Sequence, residues 1–84
     1  MKNKHKEIVA KLFEVPTRCD INWDDVINLF ESLGAVIIQG SGSRIKIVYH
    51  GAPVFLHRPH PGKCLKQYMV KNVRQFLQGK EIQP

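Results

Sequence analysis

Between Ser32 and Lys80 the sequence contains no aspartate or glutamate, although that stretch is more than half of the chain. The acids present are Glu7, Glu14, Asp20, Asp24, Asp25, Glu31 and Glu81. No apolar run approaches the roughly 18 residues of a membrane span, which argues against an integral membrane protein. The opening MKNKHKEIVAKLFE interleaves charges with apolar residues and has no secretory h-region. A cytoplasmic protein with no membrane partner is expected. Cysteine is scarce: Cys19 and Cys64 are too few for a disulfide framework, and two free thiols are expected in a reducing compartment. There is no internal repeat and no low-complexity linker. At 84 residues two independent cores would each be too small, so residues 1–84 read as a single domain. An apolar fraction of 43% sets the chain apart from disordered sequences.

What the acid-free stretch does contain is cations: Arg44, Lys46, Arg58, Lys63, Lys66, Lys71, Arg74 and Lys80, with His50, His57 and His60 among them. A field of one sign attracts polyanions. RNA, an acidic protein and an anionic membrane share that attraction. No basic helix carries the broad apolar face that would favour the membrane.

Periodicity divides the chain into six elements. Ile8, Val9, Leu12 and Phe13 recur at helical spacing, predicting a first helix over residues 3–14 that ends at Pro16. Asn22 is a suitable N-cap for a second helix, with Asp24 and Asp25 in the first turn and Gly34 as its stop. Its apolar face is expected to be Trp23, Val26, Ile27, Phe30 and Leu33. Residues 35–38 predict a short strand, and the Gly40-Ser41-Gly42-Ser43 segment predicts a turn. Residues 44–49 alternate, with Ile45, Ile47 and Tyr49 on one side and Arg44 and Lys46 on the other. His50-Gly51 signals a two-residue hairpin, and residues 52–57 return as a strand. A last helix starts near Lys66, with Met69, Val73, Phe76 and Leu77 inward, Gln67, Lys71, Arg74 and Gln78 outward, and Gly79 ending it. The expected fold class is α+β, in the order α-α-β-β-β-α. It comprises a three-stranded antiparallel sheet with helices packed on one face, as in double-stranded-RNA-binding domains. Arg44 and Lys46 then point from the open face.

Three segments carry chemistry. Glycine and serine in the 40–43 turn let backbone N–H groups, those of Gly42 and Ser43, approach a phosphate; a plain hairpin turn has the same composition. The segment His57-Arg58-Pro59-His60-Pro61-Gly62-Lys63 gathers two imidazoles, a guanidinium and an ammonium on a proline-stiffened loop. Imidazole can take a proton from a ribose 2′-hydroxyl near neutral pH, and the cations can hold the phosphate. The same inventory serves as a phosphate clamp without catalysis. His57, His60 and Cys64 also give H-x2-H-x3-C, with His50 or Cys19 as a possible fourth ligand. The spacing is unfamiliar for zinc and the flanking cations oppose a metal ion, so neither metal nor cofactor is expected. Trp23, Tyr49 and Phe55 are expected in the core, which would leave the sheet without exposed aromatics for base stacking.

Leu33-Gly34-Ala35, Gly40-Ser41-Gly42-Ser43-Arg44, His57-Arg58-Pro59-His60-Pro61 and the run Val70-Lys71-Asn72-Val73-Arg74-Gln75-Phe76-Leu77 together resemble the HicA toxin family. The similarity covers roughly residues 22–78, leaving residues 1–15 as an additional N-terminal helix. The resemblance implies a bacterial toxin–antitoxin role, a small mRNA-cleaving ribonuclease that inhibits translation, and a HicB-type antitoxin that covers its active surface. Typical members carry a histidine shortly after the Gly-Ser of the turn. Here Ser43 or Arg44 stands at that place, and neither serves as a general base at neutral pH. Two readings follow. In one, RNA is held by Arg44, Lys46, Arg58 and Lys63 with the Gly42 and Ser43 amides, and His60 or His57 activates the 2′-hydroxyl without metal. In the other, the same basic face binds RNA, or the antitoxin, without cleavage.

Overall fold

A computed structural model describes residues 2–84. Its elements are α1 (Asn3–Leu12), α2 (Trp23–Ser32), β1 (Val36–Gln39), β2 (Arg44–Tyr49), β3 (Ala52–His57) and α3 (Gln67–Gly79). The three strands form an antiparallel sheet in the order β1-β2-β3, so the fold is α+β in the order expected from the sequence.

The boundaries follow from local chemistry. The Asn22 side-chain oxygen accepts from the Asp24 N–H at 2.8 Å, and Asp24 and Asp25 occupy the positive end of α2. At the other end the Gly34 N–H donates to the Glu31 carbonyl and the Ala35 N–H to the Phe30 carbonyl, each at 3.0 Å. That pair of bonds needs a left-handed residue, and Gly34 supplies it at φ +85°. The chain leaves this cap directly into β1. His50 and Gly51 both have positive φ (51° and 77°), the conformation of a type I′ hairpin turn. The turn sets the β2–β3 register from Tyr49 opposite Ala52 to Arg44 opposite His57.

That register sends Ile45, Ile47, Val54 and Leu56 to one face, where they are buried with Val26, Leu29 and Phe30 of α2 and Met69, Val70, Val73 and Leu77 of α3. Helix α1 packs chiefly on α2 and α3 and buries Ile8, Val9 and Leu12 in the same cluster. Each such side chain contributes about 1.5–3 kcal/mol, so α1 is part of the core and not an appendage. Trp23 is buried, as expected.

Some details differ from the sequence reading. Leu29 is fully buried, whereas Ile27 is only partly so, because the core-facing stripe of α2 lies slightly to one side of the apolar set. Gly79 is the last residue of α3, as expected, while the left-handed position after the helix is taken by Glu81 at φ +59°. The Ile82 N–H there closes back on the Leu77 carbonyl at 2.9 Å, and the Ile82 side chain packs on the core. Arg74 does not simply point outward. Its guanidinium donates to the Leu12 carbonyl (2.7 Å), the Glu14 carbonyl (3.0 Å) and the Thr17 hydroxyl (3.2 Å). It thereby satisfies carbonyls at the end of α1 that have no helical partner. Finally, two aromatics expected in the core lie outside it: Tyr49 is half-buried at the end of β2, and Phe55 stands on the open face of the sheet, 66% exposed.

Candidate nucleic-acid interface

The pleat that buries Ile45 and Leu56 turns their neighbours to the other face. Arg44 on β2 is therefore directly across from His57 on β3, with Cα atoms about 4.5–5.5 Å apart as in any antiparallel pair. The next row on the same face is Ile38, Lys46 and Phe55, one residue from each strand. Gly40 and Ser41 of the β1–β2 turn border these rows. Together these residues line an open groove of about 550 Å³. The Lys46 ammonium nitrogen stands 6.0 Å from the centre of the Phe55 ring, within reach of a cation–π attraction.

The turn has the donors a phosphate needs. The Gly40 N–H is taken by the Arg44 carbonyl at 2.8 Å, and the Arg44 N–H reaches the Ser41 carbonyl at 3.4 Å. Among the described residues the amides of Ser41, Gly42 and Ser43 have no backbone partner. Gly42 takes φ +66°, a conformation that favours glycine. The Ser43 carbonyl accepts from the Arg58 N–H at 2.9 Å, which fastens the start of the following loop to the turn.

The cations singled out in the sequence fall into two groups. Arg44 and Lys46, with His57, share the groove. Arg58 and Lys63 lie instead with Trp23, Asp24, Pro59 and Gly62 around a smaller pocket of about 210 Å³ at the start of α2. The reason is the tethering of the 58–65 segment: the Trp23 N–H donates to the Lys63 carbonyl at 2.6 Å and the Leu65 N–H to the Ile21 carbonyl at 2.9 Å. His60, which precedes a cis proline, is exposed on this loop and lines neither cavity.

Electrostatically the groove is one-sided. Among the described residues no ion pair involves Arg44, Lys46, Arg58 or Lys63. Among the described residues no group of three or more His, Cys, Asp or Glu side chains is arranged to hold a metal ion, so the H-x2-H-x3-C residues do not form a cluster. Cys19 and Cys64 are exposed free thiols. No helix among the described residues is long and apolar enough to cross a membrane.

The residue the sequence reading missed is Phe55. In the strand APVFLH nearly every position is apolar, so alternation alone does not say which parity faces the core. The His50-Gly51 turn carried the signal. A two-residue loop pairs Tyr49 with Ala52, hence Lys46 with Phe55, and a partner of Lys46 shares its open face.

An α+β domain whose open sheet face is basic, grooved and free of carboxylate partners exerts a positive field outward from that face. The model of the family described as HicA toxin of bacterial toxin-antitoxin matches residues 23–78, a span running from the first residue of α2 to the last turn of α3. The chain belongs to the HicA toxin family: it is the toxin of a bacterial toxin–antitoxin pair, with a cognate antitoxin as its partner. Residues 2–22, including α1, lie outside the matched span. Neither curated proteins nor solved structures gave a match to this chain.

Proposed function

We propose that this toxin binds mRNA across the open face of its sheet in the cytoplasm and cleaves it without a metal ion, inhibiting translation until a HicB-type antitoxin covers the same face. The observation that carries this reading is the pairing of His57 with Arg44 across the β2–β3 ladder, beside Lys46. In this arrangement Arg44, Lys46 and the Gly42 and Ser43 amides hold the scissile phosphate. His57 removes the proton of the adjacent 2′-hydroxyl, whose oxygen attacks phosphorus. The bond to the 5′-oxygen breaks, leaving a 2′,3′-cyclic phosphate, and the departing oxygen takes its proton from water. The cations stabilise the charge that develops on the phosphoryl oxygens. A histidine on β3 thus takes the part for which Ser43 and Arg44 lack the chemistry. Arg58 and Lys63 hold a phosphate further along the strand, and His60 is the second candidate for the base.

General-base catalysis contributes roughly 10²–10⁴-fold. His57→Ala should therefore lower the cleavage rate by about that factor and leave RNA affinity within a few-fold, with cyclic-phosphate ends and indifference to chelator in the wild type. His60→Ala should cut nearly normally. Loss of cleavage in His60→Ala alone would move the base to the loop. Full cleavage in both single variants and in the double variant would refute imidazole catalysis. Binding without any cleavage by the wild type would leave a non-catalytic RNA-binding module, the reading favoured by the absence of a turn histidine.

A further inference from the structure

Phe55 is 66% exposed and Ile38, two strands away in the same row, is 45% exposed. Single exposed apolar residues are common. This one lies between Lys46 and His57 in a groove that Arg44, Ile38 and the Gly40-Ser41 turn also line. An aromatic ring adds nothing to the holding of a phosphate. It does add a flat apolar surface on which a nucleobase can lie.

We infer that Phe55 is a stacking platform for an unpaired base and that the groove takes single-stranded RNA. The inference rests on the reading of the open face as an RNA surface. In a duplex the faces of each base are covered by its neighbours, so a ring standing in a groove meets only base edges and backbone. An unpaired base has a free face, and aromatic stacking on it is worth about 1–3 kcal/mol. Phe55 and His57 are one strand repeat apart on the same face, about 7 Å, a distance comparable to that from a base to the phosphate of its own nucleotide step. A base resting on Phe55 therefore brings its ribose 2′-hydroxyl toward His57 and the next phosphate toward Arg44. Lys46, 6.0 Å from the ring centre, adds its charge to that of Arg44 at that phosphate. Charge complementarity selects an anionic strand, and the ring selects one with exposed bases. An acidic protein segment would use the cations and leave the ring with no specific task.

The test uses 2′-O-methyl RNA, which lacks the nucleophile and stays intact on the wild-type protein. Affinities are measured for a single strand and for its duplex, with the wild type, Phe55→Ala, Phe55→Leu and Phe55→Tyr. The wild type should prefer the single strand. Phe55→Ala and Phe55→Leu should each weaken it by roughly 5- to 150-fold, while Phe55→Tyr binds as the wild type does and the salt dependence stays unchanged. An abasic nucleotide at one position of the strand should weaken the wild type by the same factor and leave Phe55→Ala unaffected. Wild-type affinity in Phe55→Leu would make the contact merely apolar and overturn the inference. So would equal losses on single strand and duplex, or a variant that keeps its RNA affinity and loses only the antitoxin. Those results leave the RNA surface standing. Absence of salt-dependent RNA binding by the wild type would instead bring down the RNA surface and the inference together.

Discussion

Near the N-terminus Arg18 donates to Asp20 at 2.7 Å and to Glu14 at 2.6 Å, and Lys4 stands 3.7 Å from Asp25. On the open face of the sheet Arg44 and Lys46 have no carboxylate within ion-pair distance among the described residues. Both regions carry cations, yet those cations do different things. The Arg18 hydrogen bond holds the Asp20 carboxyl below the usual carboxylate range, and the two acids together raise the guanidinium above its ordinary value. Those charges are spoken for within the chain. The field from the sheet face is left to act outward, because the folded structure brings no acid to it. Net charge alone, +6 for the whole protein, does not distinguish the two situations.

The largest expected effect comes from reversing charge on the sheet face. Lys46→Glu combined with Arg44→Glu should weaken RNA binding by more than about 100-fold and lower the salt exponent by roughly two. Arg18→Glu, made in the compensated region, should leave both nearly unchanged. Measured by titration at several salt concentrations, equal losses in the two variants would erase the distinction between the regions. Arg74 sharpens it from the other side, since it belongs to the acid-free stretch but holds the end of α1 through carbonyls. Arg74→Ala should destabilise the protein by about 1.5–3 kcal/mol in denaturant unfolding, with little change in RNA affinity once folded. A strong loss of affinity with unchanged stability would return Arg74 to the RNA surface.

The smallest effect concerns pH. The Asp20 pKa is depressed in the folded state by its bond to Arg18, so its contribution to stability is present above the unfolded aspartate pKa of about 4. It is lost as pH falls through the lower folded value. Because the pair is exposed, the effect is slight. Asp20→Asn should remove that part of the acid sensitivity of the melting temperature, and an identical acid profile in wild type and variant would show the pair to be energetically silent.

The order of elements was legible because each has a local cause: Asn22 and Gly34 bracket α2, the His50-Gly51 pair dictates the hairpin, and Met69, Val73 and Leu77 recur at helical spacing. The candidate site was legible only in part. Arg44 and Lys46 were assigned to the open face by alternation on β2, where charge marks the parity. On β3 an almost wholly apolar strand hides its parity, and strand pairing is what places Phe55 on the open face.

By itself the sequence determined the one-signed charge of residues 32–80, the helix caps, the hairpin turn and the motifs by which the chain joins its family. These depend on residue identity and on contacts a few positions apart. Tertiary structure alone decided that Arg44, Lys46, His57 and Phe55 share one groove, that Arg58 and Lys63 lie elsewhere, and that Arg74 ties α3 to α1. The β2–β3 register follows from the His50-Gly51 turn, but the pairing with β1, the anchoring of the 58–65 loop and the docking of α1 on α3 depend on the burial of a common core, which no short segment of the chain encodes.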